Sequence, residues 1–126
     1  MGVIETATNY ARARAFEYRV RDDMASKGWV AVRSPASKTP VDVYCIGWHR
    51  CVFIQCKTDG RLGTDEWNRF LELCESVDAV PVLASKGRNG RGIDYQRIVG
   101  RKTKRGVRPM EVWTPESGGR REVQGT

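Results

Sequence analysis

Two short runs constrain this 126-residue chain more than any other stretch: Val41-Asp42-Val43-Tyr44-Cys45-Ile46 and Cys51-Val52-Phe53-Ile54-Gln55-Cys56-Lys57. Both are rich in β-branched and aromatic residues, and Gly47-Trp48-His49-Arg50 separates them as a four-residue turn. They read as an antiparallel hairpin. If Ile46 pairs with Cys51, counting back along both strands sets Asp42 opposite Gln55. Side chains alternate across a strand, so Asp42, Gln55 and Lys57 project from one face. Val41, Val43, Ile54 and Cys56 point the other way and are apolar. A carboxylate, an amide oxygen and an ammonium thus converge at one end of a strand pair, which suits a hard metal ion beside a phosphate.

The flanking elements follow from periodicity. Asn9 to about Lys27 reads as a helix capped by Thr8 or Asn9, with Tyr10, Ala13, Phe16, Val20 and Met24 forming an apolar stripe. Glu17 falls inside that stripe, where a carboxylate is costly unless paired. Arg14 and Arg21 on adjacent turns are its local candidate partners, and the cation site of the hairpin is the alternative. Gly28 ends the helix, and Trp29 to Arg33 forms a first strand. A polar loop with two prolines, Ser34-Pro35-Ala36-Ser37-Lys38-Thr39-Pro40, leads into the hairpin.

After a glycine-containing loop over 58–64, a second helix runs from about Asp65 to Val77. Thr64 is its candidate cap, Asp65 and Glu66 suit the positive end of its dipole, and Trp67, Phe70, Leu71 and Cys74 are its buried stripe. Ala79 to Leu83 is a short strand in which Pro81 suggests an edge or a strand start. Ile93 to Val99 and Met110 to Trp113 are further short strands. Residues 116–126 lack an apolar pattern and are expected to be a disordered tail. The order gives an α/β or α+β fold with a mixed central sheet flanked by helices, one domain over 1–115, and no internal repeat.

Charge is concentrated rather than spread. The chain carries +7 overall, while Lys86 to Arg108 holds nine Lys/Arg against Asp94 alone, which leaves −1 for the remainder. A local basic surface of this kind suits a polyanion. No run approaches a membrane span, and Met1 to Thr8 is too short and polar for an export signal, so the expected place is the cytoplasm, a host's if the gene is viral. Cysteines 45, 51, 56 and 74 form no C-x-x-C pair and read as buried reduced thiols. His49, the sole histidine, reads as a surface turn residue, and Trp67 and Trp113 as core.

Asp42 and Gln55-Cys56-Lys57, as D-x12-Q-x-K, resemble the core of the PD-(D/E)xK nucleases, with Glu17 upstream and the order αβββαβ. The resemblance extends to the archaeal-type Holliday junction resolvases. It includes the loop Arg33-Ser34-Pro35-Ala36-Ser37, the strand Val80-Pro81-Val82-Leu83-Ala84 and the ending Val112-Trp113-Thr114-Pro115. It implies a restriction-endonuclease-like fold and a homodimeric, Mg²⁺-dependent endonuclease, with Mn²⁺ as a substitute, that cuts four-way DNA junctions. Glu17, Asp42 and Gln55 would be metal ligands, Lys57 would stabilise charge or position the attacking water, and Ser37 would act near the scissile phosphate. Backbone contacts are expected from Arg14, Arg33 and Lys38, and from Arg61 in the 58–64 loop. Lys86, Arg88 and Arg91 in one basic loop, and Arg101, Lys102, Lys104 and Arg105 in the next, would add to them. Trp48 in the turn could also touch DNA.

One position departs from the family, which usually has Glu where this chain has Gln55. An amide oxygen coordinates Mg²⁺ but adds no charge, so weaker metal binding, or one ion rather than two, is expected. Mrr-like restriction nucleases have a similar Gln-Cys-Lys run. A restriction or nicking nuclease on duplex DNA is therefore one alternative, and a degenerate, non-catalytic DNA-binding protein is another.

Overall fold

The computed structural model describes the backbone of residues 2–7 and the backbone and side chains of 8–35, 39–47, 49–87 and 89–115. The expected tail over 116–126, and Ser37, Lys38, Trp48 and Arg88, lie outside the described residues.

In chain order the elements are α1 (Gly2–Ser26), β1 (Val30–Arg33), β2 (Val43–Gly47), β3 (Arg50–Cys56), α2 (Thr64–Ser76), β4 (Val80–Lys86), β5 (Ile93–Ile98) and β6 (Met110–Val112). The strands form one six-stranded sheet in the order β1-β2-β3-β4-β5-β6. All neighbours are antiparallel except β3 and β4. That parallel pair is the one joined through a helix, α2, because a parallel connection must carry the chain back to the starting end of the sheet. The fold is α+β: a mixed sheet with α1 and α2 packed against it, as expected.

The hairpin register is the expected one, with Ile46 opposite Cys51 and Val43 opposite Ile54. Gly47 also pairs with Arg50, so the turn is tighter than four residues, with His49 exposed in the left-handed region at φ 59°. Gly47 is required there: a Cβ would fall 2.5 Å from the Trp29 ring.

Two apolar layers sandwich the sheet. Under α1 lie Phe16, Val20, Met24 and Trp29 with Val43, Cys45, Val52, Ile54 and Val82. Under α2 lie Trp67, Phe70, Leu71 and Cys74 with Val41, Leu62 and Ile98, and with Tyr44 and Phe53 at their margin. The α2 stripe is the expected one, and Trp67 and Trp113 are buried.

Several local expectations are corrected. α1 begins at Gly2, so Thr8 and Asn9 lie within the helix rather than capping it. No helix breaker lies between Val3 and Ala7. Of its stripe only Phe16, Val20 and Met24 are buried; Tyr10 is 64% exposed and Ala13 is also exposed, because the first half of α1 extends beyond the sheet. α2 is capped by the Gly63 backbone with no side-chain cap, and Thr64 is its first helical residue. Val41 packs in the α2 layer, not with Val43, since the chain leaves the strand geometry ahead of Val43. Pro81 is not on an edge strand, but it sits at a strand start, as the second residue of interior β4. All four cysteines are free, but Cys51 is exposed and Cys56 half-buried, rather than buried as expected. Burial pushes the Cys45 and Cys74 thiols up to about 12. No described helix is long and apolar enough to cross a membrane.

Candidate active site

Strand direction brings the chemistry to one end of the sheet. The pairings set the C-terminal ends of β1, β3 and β4 beside the N-terminal ends of β2 and β5. Arg33, Asp42, Gln55, Lys57 and Lys86 are carried on or next to those ends. The N-terminus of α2 reaches the same end, because α2 follows β3 through the 58–63 loop.

Asp42 is fixed by the hairpin itself. Its N–H donates to the Ile54 carbonyl at 2.8 Å, and its carbonyl accepts from Ser34 N–H at 2.9 Å. The Cys56 N–H then donates to the Asp42 carboxylate, at 2.8 Å from Oδ2. The side chain thus takes a place that a backbone carbonyl would hold in a longer ladder. This holds the carboxylate at the mouth of the β2–β3 pair.

Glu17 reaches this place from α1. It is not paired with Arg14 or Arg21: Arg33 Nε on β1 donates to Glu17 Oε1 at 2.9 Å, and Arg21 pairs with its neighbour Asp22. The Arg33 guanidinium also lies over the Tyr18 ring, 4.8 Å from its centre. Lys57 lies at the end of β3, with Nζ 3.4 Å from Glu66 Oε2 in the first turn of α2.

Glu17, Asp42, Gln55 and Lys57 line one cleft of about 510 Å³, with Glu66, Asp59, Arg69 and Thr39. Glu66 and Arg69 had no place in the sequence argument for this site. Their signal was the crossover helix itself, whose first turns must return to the end of β3 (Glu66 was assigned only to the helix dipole).

The electrostatics describe a cleft with unmet donors. Glu17's carboxyl is held above its usual range by burial and then by the Asp42 charge, against the Arg33 hydrogen bond. Asp42's is raised by burial, against the Cys56 N–H and Lys57. Gln55 is only 3% exposed and is the buried polar side chain of the described core. Among the described residues its amide has no hydrogen-bond partner, an expensive state for a buried polar group. No three His, Cys, Asp or Glu side chains gather to hold an ion among the described residues. The donor set here is instead two carboxylates and an amide oxygen, all hard oxygen donors. It fits a divalent cation, which would offset both carboxylates and give the Gln55 oxygen a partner.

The raised carboxyls have a pH consequence. Their folded values exceed the unfolded ones, so the metal-free fold gains from them below the ordinary carboxylate range and loses that gain as pH rises through the raised values. A bound cation has the opposite dependence, because protons compete for its ligands. The rise in Tm on adding Mn²⁺ should be full at pH 7.5. It should shrink on acidification at a pH above the ordinary carboxylate range, as measured by thermal melts across pH.

The basic residues divide into free and engaged groups. Arg61, Lys86, Arg91, Lys104 and Arg105 are exposed and form no ion pair among the described residues. Arg14 is exposed and lies near the Tyr10 ring. Arg101 is paired with Glu72 at 2.7 Å. Lys102 is folded inward over the Trp67 ring, with Nζ donating to the Leu62 carbonyl. The 99–109 loop doubles back along α2: the Gly100 carbonyl accepts from Trp67 Nε1, Asn68 bonds Lys102 at both backbone atoms, and Arg108 donates to Gly60. It therefore ends beside the loop that borders the cleft. On the other side, Arg19 of α1 donates to Gly92 in the 87–92 loop.

No protein-family model matches the chain, and no curated protein matches it. Among solved structures it is similar to Archaeoglobus fulgidus Hjc, a Holliday junction resolvase from an archaeal hyperthermophile. The TM-score is 0.61 at 16% sequence identity, covering 85% of this chain and 89% of that one. The chain therefore shares the fold of that resolvase, with the same α+β plan that its hairpin and helices predict.

Proposed function

We propose that the protein is a divalent-metal-dependent DNA endonuclease that resolves four-way junctions by paired phosphodiester cleavage, acting as a homodimer. The observation that carries this reading is the meeting of Glu17, Asp42, Lys57 and the buried Gln55 amide, unpartnered among the described residues, in one cleft. The fold shared with a resolvase and the exposed basic residues Arg61, Lys86, Arg91, Lys104 and Arg105 support it.

Glu17, Asp42 and Gln55 would hold Mg²⁺ or Mn²⁺, which supplies charge relief at the phosphate and activation of the attacking water. Lys57 would place a positive charge against a non-bridging phosphate oxygen, with Glu66 fixing the direction of its ammonium. Arg33, already beside Glu17, would contact the backbone of the cut strand. Recognition would rest on phosphate positions presented by the branch rather than on base edges. Cleavage of a synthetic four-way junction, compared with linear and flapped duplexes, tests the reading. Symmetric nicks that need Mg²⁺ or Mn²⁺ are expected. Preferential cutting of linear duplex would favour the restriction-type alternative, and tight binding without product would favour a binding protein.

Gln55→Glu should tighten Mn²⁺ binding about tenfold, because a third negative ligand replaces a neutral one. Cleavage should be kept or increased. Calorimetric titration of both proteins with Mn²⁺ checks this, and weaker binding by the variant would remove Gln55 from the ligand set.

A further inference from the structure

Among the described residues the cleft is lined by four carboxylates, Glu17, Asp42, Asp59 and Glu66, and by two cations, Lys57 and Arg69. Lys57 is committed, with Nζ 3.4 Å from Glu66 Oε2. Arg69 is exposed and forms no ion pair among the described residues, although carboxylates surround it. Glu66 and Glu72 each lie three residues away on α2, within helical reach. Glu66 holds Lys57, however, and Glu72 holds Arg101 at 2.7 Å. Asp59 is turned onto its own loop, where Oδ1 accepts from the Arg61 N–H at 3.0 Å. Glu17 is taken by Arg33, and Asp42 by the Cys56 N–H. Arg69 is thus the uncommitted cation of the described lining.

We infer that Arg69 holds a phosphodiester of the bound strand next to the one that is cut. The inference deepens the proposed function and takes its substrate from it. Position argues for a neighbouring phosphate. Glu66 and Arg69 share one flank of α2, beside the buried stripe that holds Trp67 and Phe70. Glu66 meets Lys57, so Arg69 stands about one helical turn further along the wall than the ammonium that would face the cut phosphate. The space agrees. A cleft of about 510 Å³ falls within the roughly 300–1,000 Å³ of pockets that take a whole small molecule, more than one ion and one phosphate group fill. Chemistry selects the ligand: a planar guanidinium can donate to two phosphate oxygens at once, and a DNA strand presents a phosphate at every step.

Binding of the full chain to a synthetic four-way junction without divalent ions, followed by anisotropy across salt concentrations, tests the contact. Arg69→Ala should bind about tenfold more weakly, and its plot of log affinity against log salt should be shallower by about one per bound protomer. Arg69→Lys should keep the wild-type slope, because it keeps the charge. Both should melt near the wild type, since position 69 is an exposed helix site. Wild-type slope and affinity in Arg69→Ala would overturn the inference. Junctions with a neutral methylphosphonate beside the mapped nick locate the contact. Replacing the phosphate that Arg69 holds should slow wild-type cleavage about tenfold and leave Arg69→Ala no slower than on the unmodified junction. If Arg69→Ala loses as much as wild type at each neighbouring phosphate, the assignment fails while the nuclease reading stands. Junction binding that depends on Arg69, with no product in Mg²⁺ or Mn²⁺, would refute the nuclease reading and uphold the phosphate contact. A wild type that binds no DNA would overturn both.

Discussion

Asp42→Asn should reduce the proposed metal-dependent junction cleavage by at least about a thousandfold, since loss of a proposed ligand would remove several kcal/mol of charge stabilisation at the phosphate. The fold should survive. An Asn oxygen can still accept the Cys56 N–H that now reaches Asp42 Oδ2 at 2.8 Å. The variant also separates chemistry from stability. Asp42's carboxyl is raised by burial, so its ionisation works against the metal-free fold at neutral pH. The neutral Asn should therefore melt no lower than wild type without metal and lack the rise in Tm with Mn²⁺ that the proposed site predicts for the wild type. Paired melts and cleavage assays read both effects. Cutting at the wild-type rate would remove Asp42 from the site.

Trp67→Ala should cost about 3–5 kcal/mol of stability, the usual range for deleting a buried aromatic side chain, and lower Tm by roughly 10–20 °C. Trp67 is fully buried in the α2 layer, and its Nε1 bonds the Gly100 carbonyl at 2.9 Å. Its ring also lies under the Lys102 ammonium. The substitution therefore releases the 99–109 loop from α2 as well as opening a cavity. Trypsin should cut within 101–108 faster in the variant than in wild type at a temperature where both remain folded. Unchanged proteolysis with lowered Tm would mean that Asn68 and Arg108 hold the loop without Trp67.

These two residues show what could be read in advance. The hairpin register was legible because β-branched and aromatic residues mark both strands and side chains alternate strictly. Parity along β3 therefore grouped Gln55 and Lys57, while Asp42, ahead of the strand, is held at the same cleft by the Cys56 N–H. The α2 stripe was legible from helical spacing. The partner of Glu17 was not: Arg33 is sixteen residues away, and only the packing of α1 on β1 brings it within 2.9 Å. The attachment of the 99–109 loop to α2 left no trace either, because Trp67 and Asn68 bond to backbone N–H and carbonyl groups of the loop, which every sequence supplies. Val41 and Cys51 were assigned their environments by local pattern. The structure changed both: the chain departs from strand geometry at Val41, and α2 does not extend over Cys51.

The proposed site turns on whether Glu17, Asp42 and Gln55 share one cation. Anomalous diffraction from crystals grown with Mn²⁺ measures this directly. The predicted result is a peak in the cleft within coordination distance of an Asp42 carboxylate oxygen and the Gln55 amide oxygen, with Glu17 bound directly or through water. Ordered, Mn²⁺-saturated crystals with no peak there, or with the ion bound elsewhere while the Gln55 amide stays unpartnered, would contradict it.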